Sequence, residues 1–279
     1  MKIKGKKLAL AFDANNENGL YWTDGKIVYY RVFKIKGADI DSFEQFSGGW
    51  AKDKKYCYSG SNRLENADPL TFEVLNFTYA KDKSNVWTIG GSIPDVDVAT
   101  FQICDNGRRS LGVTIKKQKN DQILKYQVFV PYGFAKDCNK VYYYDFQGKN
   151  KIINKADTTS FQSLDDSFFG YDKNFVFCGK TIIPKAKPTT WKKLEKDYYY
   201  SKDGAYIYYF SRLIKGADPE SFTVVKVPVL TGLPRQYAKD KNTGYINDRP
   251  FSLDEFEKEI EQEFKKYNEK KEKFGNICL

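Results

Sequence analysis

Tyr200-Ser201-Lys202-Asp203-Gly204, then Tyr206-Ile207-Tyr208-Tyr209, then Gly216-Ala217-Asp218-Pro219-Glu220-Ser221-Phe222, is the stretch whose reading decides the fold. Two strand-forming runs flank an Asp-Gly pair. An Asp there satisfies the turn backbone with its own side chain and tolerates left-handed dihedrals, so these pieces read as a β-hairpin. In the third piece Gly216 supplies the backbone angle needed to approach a cap, and Asp218 caps a short helical turn. Pro219 sits where a proline loses no hydrogen bond, and the turn delivers Phe222 inward.

Both signals recur along the chain. Hairpin turns read at Trp50-Ala-Lys-Asp53-Lys, Tyr79-Ala-Lys-Asp82-Lys, Phe134-Ala-Lys-Asp137-Cys, Tyr171-Asp172-Lys-Asn and Tyr237-Ala-Lys-Asp240-Lys-Asn, with a weaker copy at Asp24-Gly25. The capped turn, Asp-x-x-Ser/Thr-aromatic, spans Asp39 to Phe43, Asp68 to Phe72, Asp97 to Phe101, Asp157 to Phe161 and Asp218 to Phe222; the copy ending at Trp191 has Lys187 in place of the Asp. Capping explains these aspartates without calcium or another ligand, since the Asp-Pro signature is that of a helix start.

The inward aromatics set the period. Phe43, Phe72 and Phe101 are 29 residues apart, Phe161 follows after 60, and Trp191, Phe222 and Phe256 follow after 30, 31 and 34. The 60 reads as two units, so residues 102–133 are expected to hold a degenerate or remodelled unit, with seven recognisable repeats and room for an eighth. About 30 residues accommodate three short strands and a capped turn, less than a four-stranded propeller blade requires. The expected fold is therefore all-β, in tandem repeats of roughly 30 residues arranged as a solenoid or meander, with a propeller as the alternative.

The last unit changes character. Ser252-Leu-Asp-Glu255 is a capping box. Leu253, Phe256, Ile260, Phe264 and Tyr267 then fall on one face of an α-helix running to about Lys273. The expected organisation is a repeat body over 1–251, irregular at about 102–133, and a capping helix within 252–279 that covers the open end of the core.

Composition narrows the chemistry. The chain of 279 residues has 21 Tyr, 21 Phe and 4 Trp but no histidine, which removes His-based triads and imidazole metal sites. Cys57, Cys104, Cys138, Cys178 and Cys278 are odd in number and widely scattered, which fits reduced thiols rather than a zinc knuckle or a disulfide framework. Asp95 and Asp97 are close in sequence, but Asp97 is a cap. Asp13 to Gly19 resembles a calcium loop only faintly, because its glycine is misplaced and the final acid is missing. No enzyme, metal, cofactor or small-molecule ligand is expected. No segment has the run of apolar residues that crosses a bilayer, and the first ten residues lack a signal-peptide core, so a soluble cytoplasmic protein without a membrane partner is expected.

Charge supplies the one lead to a partner. Lys and Arg number 46 against 36 Asp and Glu; residues 1–251 hold 40 basic and 28 acidic groups, a net +12. Arg108, Arg109, Lys116, Lys117, Lys119 and Lys125 crowd the irregular unit, where Asn106-Gly107 and Lys119-Asn120-Asp121 read as hairpin tips. Released from the repeat constraint, these six side chains are the expected partner surface, with Arg108 and Arg109 as anchors.

The aromatic-flanked Lys-Asp-Lys-Asn turn, the Tyr-Tyr run and the Lys-Gly-Ala-Asp-Pro-x-Ser-Phe segment resemble the DKNYY repeat family of bacterial proteins over most of residues 20–256. Its best copies here are Tyr79 to Phe101, Phe134 to Phe161, Tyr200 to Phe222 and Tyr237 to Phe256. Departures are Lys187, Cys138 in place of the second Lys, and segment 102–133. The resemblance implies a bacterial or phage-borne β-repeat protein without catalytic residues, a subset of which looks like immunity proteins encoded beside toxins. The expected function is thus a non-catalytic immunity or inhibitor protein that occludes one protein partner, a toxin or effector. The alternative is a nucleic-acid or nucleoprotein binder, such as a phage-encoded inhibitor of an RNA-containing defence complex, using its basic face.

Overall fold

The fold is that of a computed structural model. The structure describes residues 3–10, 20–117, 123–145, 148–165, 167–195, 199–227 and 235–273. Among the described residues it is all-β apart from a C-terminal helix, Leu253–Lys273, and a short 3-10 turn at Ser47–Gly49. Among the described residues the strands form seven small antiparallel meanders, the first with three strands and the other six with four, plus one separate two-stranded sheet.

A complete repeat is seen at residues 44–63. Trp50–Lys52 and Cys57–Ser59 form the central hairpin, flanked by Glu44–Gln45 and Asn62–Arg63. The expected unit of three strands gains a fourth because the residues just after each inward aromatic pair with the next hairpin: Glu44–Gln45 follows Phe43, and Glu73–Val74 follows Phe72. The cap is thus a joint, closing one repeat and starting the next sheet. The left-handed angle that precedes the cap is taken by Gly37 and Gly216, as expected, and elsewhere by Asn66, Asp95 and Lys185.

Segment 102–133 is an insertion within one repeat, not a degenerate repeat. Gln102–Ile103 pairs with Ala135–Lys136, so the meander closes across the intervening chain. That chain forms the two-stranded sheet, Arg108–Lys117 against Ile123–Pro131. Its length happens to equal about one period, which is why spacing alone counted it as a unit.

The chain divides into two compact units, Met1–Arg109 with Val130–Gly170, and Ser110–Phe129 with Tyr171–Leu279. In the first, Phe43 lies between Tyr21 and Tyr58, with ring centroids 5.4 and 5.5 Å away. Phe72 lies between Trp50 and Trp87, and Phe101 between Tyr79 and Tyr142. Each inward aromatic thereby joins the rings of successive sheets, and tilted rings at such distances are a favourable packing for aromatic quadrupoles. The residue beneath must be small, and Ala51, Ala80 and Ala135 are fully buried there. The first sheet departs from this pattern. Trp22 stands where the alanines stand and stacks on Tyr29 at 4.4 Å and 12°.

The second unit repeats the arrangement, with Phe222 between Tyr200 and Tyr245 over Ala238. Trp191 is only half-buried, in the repeat whose capping Asp is replaced by Lys187. The helix begins in the expected capping box: Glu255 N–H donates to Ser252 Oγ, and Ser252 N–H to Glu255 Oε2. Phe256 fills the aromatic slot with Val227, Tyr237, Ile246 and Ile260 around it. Only the start of the apolar stripe is covered, since Phe256 is 1% exposed and Phe264 40%. Phe256→Ala is therefore expected to cost about 3–4 kcal/mol in urea unfolding and Phe264→Ala less than about 1 kcal/mol. Equal effects would show that the helix closes the core in some other way.

Candidate binding site

What fastens the repeats is a set of buried carboxylates, and this accounts for most of the chain's recurrent polar residues. Asp53 Oδ1 accepts the N–H groups of Lys55 and Tyr56, each at 2.7 Å, which shapes the hairpin turn. Its Oδ2 accepts the Tyr58 hydroxyl at 2.7 Å and the backbone N–H of Asp39, the cap of the preceding repeat, at 2.9 Å. Asp137 with Asp97 and Tyr142 repeats the geometry, and so does Asp240 with Asp218 and Tyr245. Burial works against charge on Asp137 and Asp240, yet the donors around them outweigh it and hold both carboxyls below the usual carboxylate range.

The neighbouring residues complete the joint. Lys54 N–H donates to Ser42 Oγ, and the Lys54 ammonium lies 2.7 Å from Asp39. That ammonium, with the Ser42 hydroxyl, holds Asp39 down at about 2. Lys83 with Asp68 and Lys241 with Asp218 form the same pairs. The lysine on the other side of the turn Asp reaches forward: Lys52, Lys136 and Lys202 donate to the carbonyls of Pro69, Phe161 and Pro219. The cap reading is also met at Asp39, Asp97 and Asp157, whose Oδ1 atoms accept from the N–H groups of Ser42, Thr100 and Ser160. The sequence marks the turn aspartates as turn formers and does not show their second role as clamps on the cap. The signal that could have marked them is the Tyr five residues later, at Tyr58, Tyr142 and Tyr245.

The remaining chemistry is sparse. Among the described residues no group of three or more Cys, Asp or Glu could hold a metal ion. Burial pushes the thiols of Cys57 and Cys104 up to about 12. Exposed Cys138 donates its thiol to Asp97. Asp95 has a left-handed φ of 53° and serves as a turn residue. The stretch from Asp13 to Gly19 and Cys278 lie outside the described residues.

The insertion is where the repeat chemistry stops. Its two arms run 10 and 9 residues, whereas every other strand has two to five. The five-residue connection, 118–122, makes the arms antiparallel. Asn106-Gly107, expected as a hairpin tip, is instead the root. Gly107 has φ 67°, and a Cβ there would lie 2.4 Å from Asn76. The Thr78 hydroxyl donates to the Gly107 carbonyl, and Asn76 Nδ2 to the Asp105 carbonyl at 3.0 Å. Asp105 accepts from the N–H groups of Gly107 and Phe134 and from the Ser163 hydroxyl, while Asn106 N–H donates to Asp165.

The six expected contact residues do not form one patch. Arg109 is 6% exposed, its guanidinium 3.4 Å above the centre of the Phe168 ring and 5.9 Å from that of Tyr132. It is a cation held on aromatic faces at the root rather than an exposed anchor. Arg108, also at the root, is partly exposed. Lys116 and Lys117 end the first arm and Lys125 is near the start of the second, so these three lie toward the far end. At about 3.4 Å per residue that is roughly 25 Å from Arg108. Lys119 and the tip Lys119-Asn120-Asp121 lie outside the described residues.

Fold and insertion together define a tandem β-meander protein, its repeats tied by buried aspartates and one of them carrying a basic ribbon. The profile of the DKNYY family matches residues 50–212 and 200–276, and the chain belongs to that family. No curated protein and no solved structure matched the chain. Among the described residues no helix is long and apolar enough to cross a membrane.

Asp105 gives the root a pH signature. Burial pushes its carboxyl up to about 6, with Asp165 adding to the rise, against an unfolded value of about 3.9. A carboxyl raised by folding binds its proton more tightly in the folded state. Its contribution is therefore complete below about pH 4 and is lost as pH climbs through about 6. Relative to Asp105→Asn, the wild-type chain is expected to lose on the order of 2 kcal/mol between pH 4 and 7. Parallel stability curves for the two proteins in urea titrations would contradict this assignment.

Proposed function

We propose that this chain is a non-catalytic binding scaffold, an immunity or inhibitor protein that neutralises one protein partner, a toxin or effector, by occlusion. The observation that carries the reading is the ribbon. The conspicuous Asp, Tyr, Ser and Lys residues of the repeats are used in fastening one repeat to the next, which leaves little recurrent chemistry for a reaction. The ribbon departs from that scheme, holding Arg108, Arg109, Lys116, Lys117 and Lys125 with no Asp or Glu in either strand. Such a charge distribution favours encounter with an acidic surface. Family membership agrees with this reading through the immunity-like subset that the repeat signature resembles.

The test is co-expression with the product of the adjacent gene where that product arrests growth. Restored growth and a stoichiometric complex are expected. Replacing Lys116, Lys117 and Lys125 together by Glu should weaken the complex at least about tenfold. Undiminished binding would move the contact off the ribbon. Failure to protect, combined with affinity for any nucleic acid that falls steeply with salt, would favour the nucleic-acid reading.

A further inference from the structure

Among the described residues the ribbon is built unlike every other sheet. In the meanders the outermost strands are two to four residues long, as at Glu44–Gln45, Asn62–Arg63 and Lys149–Ile152. Short edges of this kind offer an incoming chain few backbone groups to pair with, and soluble proteins use them to avoid edge-to-edge association. The ribbon departs from that rule. Arg108–Lys117 and Ile123–Pro131 form a sheet of two strands, and among the described residues no third strand joins it. In a two-stranded antiparallel sheet every second residue of each arm directs its N–H and C=O away from the other arm. Over the seven residues Leu111–Lys117 that is three or four outward pairs.

We propose that the ribbon takes its partner by strand addition, an extended acidic segment of another protein pairing its backbone along one open edge. This deepens the binding-scaffold reading and rests on it. Charge selects the occupant. Beyond the root the arms carry Lys116, Lys117 and Lys125 and no carboxylate, so an acidic strand is attracted, whereas the ribbon of a second copy brings the same three cations and is repelled. The same lysines thus admit one kind of strand and reject self-pairing, as a specificity device should. Sequence alternation sets the side chains the incoming strand should offer. In the first arm Leu111, Val113 and Ile115 alternate with Gly112, Thr114 and Lys116; in the second Leu124, Tyr126 and Val128 alternate with Lys125 and Gln127. A matching strand alternates apolar and acidic residues, placing its apolar set on one face and its carboxylates on the other. Backbone pairing supplies affinity and the alternate side chains supply selection, as in other strand-addition complexes.

The probe is a decapeptide alternating Glu and Val, tested on the full chain by fluorescence anisotropy. Beside it runs the same peptide N-methylated at alternate residues, which keeps charge and side chains but loses amide donors. The unmodified peptide is expected to bind at least about tenfold more tightly, and Lys116→Glu with Lys125→Glu should abolish the difference. Equal binding of the two peptides would show that charge alone acts and would overturn strand addition. So would no binding of either, or tighter binding of oligothymidylate than of the peptide. Val113→Pro and Thr114→Pro add a check within the protein, because adjacent residues direct their amides to opposite edges. One of the two should spare the melting transition yet remove peptide binding; if every variant that keeps the wild-type melt also keeps binding, the open edge of this arm is not used. These outcomes are separate from toxin protection, so a chain that binds the peptide yet fails to protect would overturn the immunity reading and leave strand addition standing.

Discussion

The carboxylate buried at the turns of Asp53, Asp82, Asp137 and Asp240 is the interaction on which the array depends. At each of these four, one side chain shapes the turn of its own repeat through two N–H groups and holds the cap of the preceding repeat through a third. A tyrosine of the same hairpin supplies a fourth bond at Asp53, Asp137 and Asp240. A buried charge left unpaired would be costly, and donors placed at fixed distances on both sides turn that cost into a requirement for correct docking. Because each joint involves only neighbours, stability accumulates repeat by repeat in the manner of quasi-one-dimensional proteins. The exposed Asp24 of the first sheet accepts from Lys26, Ile27 and Tyr29 of its own hairpin.

The same joint explains how one repeat tolerates a long insertion. Asp137 accepts the Asp97 N–H across 40 positions of sequence, at the same 2.9 Å found between Asp39 and Asp53. Cap and turn still meet, so the ribbon root leaves and rejoins the sheet without disturbing the stacking of Phe101 between Tyr79 and Tyr142. Loop-closure entropy rises slowly with length, and an insertion whose ends are already held adjacent adds little further cost. The polar root supplies acceptors, from Asp105, and donors, from Asn76 and Thr78, for backbone groups that would otherwise be buried without partners.

Function, on this view, is segregated from architecture. Much of the lysine excess that first suggested a basic surface belongs to the joints: Lys54, Lys83 and Lys241 sit on capping aspartates, and Lys52, Lys136 and Lys202 on carbonyls. Net charge was therefore a weak guide to a partner surface. The proposed contact rests instead on location, because Lys116, Lys117 and Lys125 lie outside the repeat joints, on strands longer than any other among the described residues.

Period, hairpin turns, capped turns and the final helix were all legible in the sequence, because each is set by residues within a few positions of one another. Asp68 to Phe72 reads as a cap wherever it is found, and Ser252 with Glu255 reads as a helix start. Pairing between distant segments was not legible. A gap of 60 residues between Phe101 and Phe161 fits two repeats as well as one repeat with an insertion, and only the pairing of Gln102–Ile103 with Ala135–Lys136 separates them. Arg109 looks like Arg108 in a linear chain; the rings of Phe168 and Tyr132, brought up by the fold, put one inside and leave the other partly exposed. The turn aspartates likewise look like simple turn formers until the cap of the preceding repeat is docked onto them. Local propensity determined the elements, and tertiary contact decided which charges are buried and which segments pair, because burial and pairing depend on neighbours some 30 or more residues away.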